Sequence, residues 1–182
     1  MAGVQVLKNP IGVKLLLENI LSGLVRNFLD YLRELSMCSG AGCLSVVRDA
    51  VNHIVADVEL SSLLFSKFMP TSGGLGVDMY SLASAVENVA YEVRESNEVL
   101  SRSLFIIAEA LYAADRGDVK ASVALLFASY MYLNGMEELA RELIREVLGE
   151  GGLQRIDFFY EMGYFAYKLS KLGIIITNKD LE

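Results

Sequence analysis

"DRGDVKASVALLFASYMYLNGMEELARELIREVLGEGG", residues 115–152, is a series of apolar segments divided at even intervals by short polar breaks. DRGD (115–118), NG (134–135) and GEGG (149–152) each carry a glycine, the residue that suits a left-handed helix cap. The breaks separate three helices, the last running from about Leu153 to Lys171. Short turns between helices of this length point to antiparallel neighbours in an all-α bundle.

Towards the N-terminus the same grammar continues. Asp78 is placed to cap a helix in which Leu82, Val86, Val89, Val93 and Leu100 form a near-heptad seam to about Ala114, with a bend near Ser96 and Asn97. Pro70 and "TSGGLG" make the clearest linker in the chain. Before it, a helix over about 44–68 sets Val47, Val51, Ile54, Val55 and Val58 on one face and Arg48, Asp49, Asn52, His53 and Asp57 on the other. The loop "CSGAGC" precedes it. Asn9-Pro10 starts a first helix to about Ser36, where Leu17, Leu21, Leu24, Phe28, Tyr31 and Leu35 follow a 4-3-4-3-4 spacing that wants a partner helix.

The expected fold is an all-α bundle of six to seven helices joined by short Gly-rich turns. A short β pairing of the termini, "GIIIT" (173–177) with "VQVL" (4–7), is also expected. Residues 1–69 would form an N-terminal helical pair, 70–77 a linker and 78–182 an acidic helical bundle, packed together as one unit.

Composition narrows the function classes. With 53% apolar and 21% charged residues the chain can bury a core and is not disordered. That apolar fraction leaves more greasy surface than one small domain hides, which points to an oligomer or a partner. The net charge of −7 belongs wholly to the second part: residues 1–69 carry six basic and six acidic side chains, residues 70–182 ten and seventeen. An acidic half is a poor general match for nucleic acid, whose binding runs on neutralisation of phosphate. The longest uncharged run near the aromatic region, "ASVALLFASYMYLNGM" (121–136), is shorter than the roughly 20 residues of a membrane span. No membrane span and no signal peptide are expected, which makes the cytoplasm the expected location.

Two resemblances follow from local patterns. "LFIIAEALYAADRGDVKASVALLF" (104–127) through "NGMEELARELIREVL" (134–148) resembles tetratricopeptide helix pairs, with Ala128, Gly135 and Ala140 at the repeat's small-residue positions. Arg48-Asp49-Ala50-Val51-Asn52-His53 resembles the signature of the HEPN superfamily, helical proteins that include metal-independent ribonucleases and partners of nucleotidyltransferases. The resemblance implies His53 as general acid/base on a ribose hydroxyl, Arg48 as phosphate holder, Asp49 between them, RNA as substrate and a dimer of such helices. The chemistry suits the residue types: a near-neutral imidazole moves protons and a guanidinium grips phosphate in a fork.

The plainer reading of Arg48, Asp49 and His53 is a solvated helix face. Asp49, His53 and Asp57 do share one face by their four-residue spacing, but a single histidine and no CxxC pair speak against zinc. No metal and no cofactor are expected. Cys38 and Cys43 are near enough for a loop disulfide, although two reduced thiols are the cytosolic default. "SGGLGVD" lacks the lysine of a phosphate loop, and the row Glu92, Glu95, Glu98 lacks the histidines of a di-iron site.

"FFYEMGYFAY" (158–167) is the densest aromatic patch. Tyr160, Tyr164 and Tyr167 share a face while Phe158 and Phe165 point elsewhere. Flanking helices on both sides would make all of it core; otherwise part of it is a contact surface. These features favour a non-enzymatic helical interaction or assembly module, an adaptor or a small subunit. Its contacts, with a second copy or another protein, would be made by Leu17, Leu21, Leu24, Phe28, Phe158, Phe159, Tyr164 and Tyr167. The HEPN-like ribonuclease, or an inactive HEPN partner, is the alternative.

Overall fold

In a computed structural model the described residues, 10–40, 42–68 and 78–174, are all helical apart from short connections. They form six helices: α1 Pro10–Met37, α2 Gly42–Phe68, α3 Met79–Val93, α4 Glu98–Asp115, α5 Val119–Leu133 and α6 Glu137–Lys171. The linker around Pro70, the Asn9 cap and most of the expected β pairing lie outside the described residues. The chain divides into two compact units, Met1–Val77 and Asp78–Glu182.

In the first unit α1 and α2 pack along one another. Gly40, at φ 77°, turns the chain between them and brings the Cα atoms of Cys38 and Cys43 to 5.5 Å. That spacing lies inside the range a disulfide needs, and the two cysteines are bridged. Of the two states the sequence leaves open, a loop disulfide and a pair of reduced thiols, the first is the one observed. The buried face of α2 holds Cys43, Leu44, Val47, Ala50, Val51 and Ile54, with Val55 and Val58 at its edges.

In the second unit each helix packs on the next, and α3 and α4 also reach α6. Polar caps decide where α3, α4 and α5 begin. Asp78 accepts from the Ser81 amide at 3.2 Å, Asn97 from Leu100 at 3.0 Å and Asp118 from Ala121 at 3.0 Å, each satisfying a first-turn donor that has no partner within the helix. The expected single helix to Ala114 is two, α3 and α4, because Asn97 leaves helical geometry and caps a new start. Gly117 and Gly135 end α4 and α5 at φ 77° and 73°. At both ends the following amide reaches back to a carbonyl five residues earlier: Asp118 to Ala113 and Met136 to Met131, each at 2.9 Å.

The α5 helix is apolar all round and is buried from Ala121 to Tyr132 with few gaps, as expected of a central helix. Its own Phe127 and Met131, and Phe105, Ile106, Leu143, Ile144 and Tyr160 from the other helices, are almost inaccessible. Buried hydroxyls are matched to partners. Ser101 donates to the Ala90 carbonyl at 2.7 Å and lies 2.8 Å from the Tyr160 hydroxyl, while Ser103 bonds Ser129 across α4 and α5. The GEGG break survives as a kink: Gly149, at φ 75° and ψ 171°, divides α6 into two halves.

Candidate functional site

Two places in the molecule carry the residues singled out by sequence. The first is the polar edge between α1 and α2. The helical spacing of Asp49, His53 and Asp57 stacks them along α2, and α1 supplies Asn27 and Tyr31 from the facing side. Asn27 donates to Asp57 at 3.0 Å. The Tyr31 hydroxyl and His53 Nδ1 are hydrogen-bonded, with ring centroids 6.0 Å apart. Partial burial pushes the Tyr31 phenol above its usual value, and the carboxylates of Glu34, Asp57 and Asp49 add to the rise. Arg48, Asp49 and His53 are all exposed.

A side chain five positions along a helix lies about 140° around it, so Arg48 and His53 leave α2 in different directions. Tyr31, which sequence analysis had placed in an apolar seam, is the residue that joins His53. Among the described residues no group of three His, Cys, Asp or Glu is placed to hold a metal ion. None of the described helices is long and apolar enough to cross a membrane.

The second place is the C-terminal half of α6, where the aromatic patch divides. Tyr160 faces inward with no exposure, and the ring of Phe105 meets it edge-on at 5.3 Å. Gly163 lets α3 approach: a Cβ there would overlap the Tyr91 hydroxyl. Tyr164 and Tyr167 are half-buried, with centroids 6.3 and 5.9 Å from Tyr91. Phe158, Phe159, Met162 and Phe165 point the other way and are 58%, 47%, 45% and 55% exposed. Their i, i+4, i+7 spacing, with Phe159 alongside, makes a continuous apolar strip about 10 Å long.

Cations lock the inward side. Arg94 lies over the rings of Tyr160 and Tyr164, 4.4 and 4.3 Å from their centroids, and donates to Glu161 at 2.7 Å. Its Nη1 is buried with no hydrogen-bond partner, and the two ring faces beside the guanidinium stand in for one electrostatically. Arg102 covers Tyr160 at 4.4 Å and bonds Asp157 at 2.9 Å. Arg141 grips the same Asp157 through two nitrogens, at 2.8 and 3.3 Å. Lys168 pairs with Glu95, to which Tyr164 also donates. Both partners hold the Glu95 carboxyl below the usual range, Lys168 the more strongly. Their positive charge is therefore spent on neighbouring carboxylates and rings.

Of the proposed contact residues, Phe158 and Phe159 are on the open strip, while Tyr164 and Tyr167 belong to the tyrosine cluster around Tyr91. On α1, Leu21 is exposed and Leu24 and Phe28 are half-buried; the Leu17 side chain lies outside the described ones. Sequence reasoning missed Met162, Val25 and Leu29. Met162 and Phe165 were readable as a continuation of Phe158 by four and seven. Val25 and Leu29 were hidden because α1 is apolar over nearly half its circumference, and the heptad template selects only one arc of it. No protein-family model, curated protein or solved structure matches the chain.

Proposed function

We propose that this protein is a non-enzymatic helical association module, a subunit or adaptor whose partner-binding surface is the outer strip of α6. The observation that carries the reading is the exposure of Phe158, Phe159, Met162 and Phe165 on a helix whose opposite side is packed and ion-paired. A helix held on one side by Arg94 and Arg102 of neighbouring elements, and braced across its kink by its own Arg141, is a rigid mount. Side chains with few rotatable bonds on such a mount lose little entropy on binding, and aromatic residues are the usual anchors of protein interfaces. The test is the native size of the complex in extracts of cells that make the protein. The chain is expected to elute well above its own mass, and Phe158→Asp with Phe165→Asp to shift it down with helix content unchanged. Elution at the same small size for both proteins would refute the reading.

A second reading is favoured by one observation, the hydrogen bond that joins His53 to Tyr31. A hydroxyl on Nδ1 orients the imidazole and selects its tautomer, which is what a general acid/base needs. In the HEPN-like reading His53 works on RNA without metal and Arg48 holds phosphate. RNA cleavage in EDTA that is lost in His53→Ala would establish it, and no cleavage by wild type would remove it.

A further inference from the structure

We propose that the Cys38–Cys43 bridge is a thiol–disulfide exchange site, opened by a thiol reductant at Cys38, and that its opening loosens the α1–α2 hairpin. The inference is independent of the α6 association reading and concerns the other unit of the chain.

The two cysteines have unlike surroundings. Cys43 is inaccessible, whereas Cys38 is half-buried on the turn that follows α1. Thiols in solution therefore meet the bridge on the Cys38 side, and Cys43 supplies the sulfur that must leave. Cys43 is the second residue of α2, whose first turn holds no acidic side chain. The positive end of a helix stabilises a thiolate, and a stabilised thiolate is the better leaving group. The turn has its own backbone support: Gly40 carries the positive φ, the Cys38 amide donates to Leu35 and the Cys43 amide to Gly40, each at 3.2 Å. That support keeps the two thiols near one another after reduction, which makes the exchange reversible.

In the exchange a thiolate of the reductant attacks Cys38 Sγ. The S–S bond breaks, its electron pair leaves on Cys43 Sγ, and a mixed disulfide joins the reductant to Cys38. A second reductant thiolate attacks the reductant sulfur of that adduct and releases Cys38. The two cysteine thiolates take up the protons that the reductant's two thiols gave up. The bridge gains two electrons, and two reductant thiols become one disulfide. Among its described residues the first unit has one helix–helix interface, and the bridge ties its closed end. The rest of that interface is the buried row Leu35, Leu44, Val47 and Ile54, with the polar ties Asn27–Asp57 and Tyr31–His53. A bridge from residue 38 to residue 43 closes a short loop, and a loop that short restricts the open chain roughly 40-fold. Reduction therefore shifts the hairpin towards open states without abolishing it.

The test places the oxidised full chain in buffers of reduced and oxidised glutathione at graded ratios, and reads acid-quenched samples by mass spectrometry. The bridge of the folded chain is expected to open and reclose reversibly, with the transient glutathione adduct on Cys38. Cys43→Ser is expected to accumulate that adduct on Cys38, and Cys38→Ser to leave the buried Cys43 unmodified. Amide hydrogen exchange on oxidised and reduced wild type then reads the hairpin. Residues 10–37 and 42–68 are expected to exchange up to about 40-fold faster when reduced, and residues 79–171 at an unchanged rate. Wild type alone supplies the opening, the adduct and the exchange rates, so the outcome does not hang on a variant that folds. A bridge closed at every ratio, an adduct on Cys43, or equal exchange in the two states would overturn the proposal. Faster exchange spread evenly over residues 79–171 would overturn it too.

Discussion

Glu109 lies on α4 at the foot of a tyrosine–carboxylate cluster in which Glu87 accepts from Tyr91 at 2.6 Å and from Tyr112 at 2.9 Å. Burial pushes the Glu109 carboxyl above the ordinary glutamate range, and Glu87 adds to the rise while Arg116 and Arg155 oppose it. A raised folded-state value means that the folded chain binds this proton more tightly than the unfolded chain does. The stabilising contribution is complete below the ordinary value of about 4.3 and is lost as pH climbs through the raised one. Glu109→Gln keeps the shape and discards the charge. Its melting temperature is expected to exceed that of wild type at pH 7, with the gap closing by about pH 4. Melts by circular dichroism at both values check this; an equal gap at both would contradict the assignment. The sequence places Glu109 in an apolar run, but its burial depends on what covers α4. That information lies far along the chain, as does the pairing of Arg94 and Arg102 with residues 157 and 161.

Helix boundaries were legible wherever a residue type has one local use. Asp78 as a cap and the glycines at 117 and 135 as stops act through their own backbone and side chain, so no distant residue has to be known. The boundary between α3 and α4 was less so: "ESNE" (95–98) holds neither glycine nor proline, and the apolar seam runs across it. Only the Asn97 cap marks it. Gly149 gives the element-scale prediction. Its φ of 75° and ψ of 171° fall in a region open essentially to glycine alone, while Gly151, two residues on, has ordinary geometry and open space around its Cβ position. In urea denaturation Gly149→Ala is expected to cost about 1–3 kcal/mol. Gly151→Ala should be neutral or gain up to about 1 kcal/mol. Similar losses in both would show that the kink does not depend on that backbone conformation.

At the scale of the whole chain the helical class was legible because the apolar period and the punctuation agree. The division of "FFYEMGYFAY" was only half legible, since the spacing separates Tyr160 from Phe158 but does not say which side faces the bundle. Tyr91, Phe105 and the stacked arginines settle that in favour of the tyrosines. The single histidine drew notice by rarity, a chemical signal; the α6 strip is visible only once its opposite side is filled. The central claim is that this strip meets another protein. The most direct measurement replaces Phe158 and, separately, Phe165 with a photo-crosslinking phenylalanine analogue, beside the same analogue at Glu142, an exposed polar position on the first half of α6. Discrete protein adducts from 158 and 165 in intact cells, and none from 142, are the predicted result. The same adducts from all three positions, or from none, would contradict it.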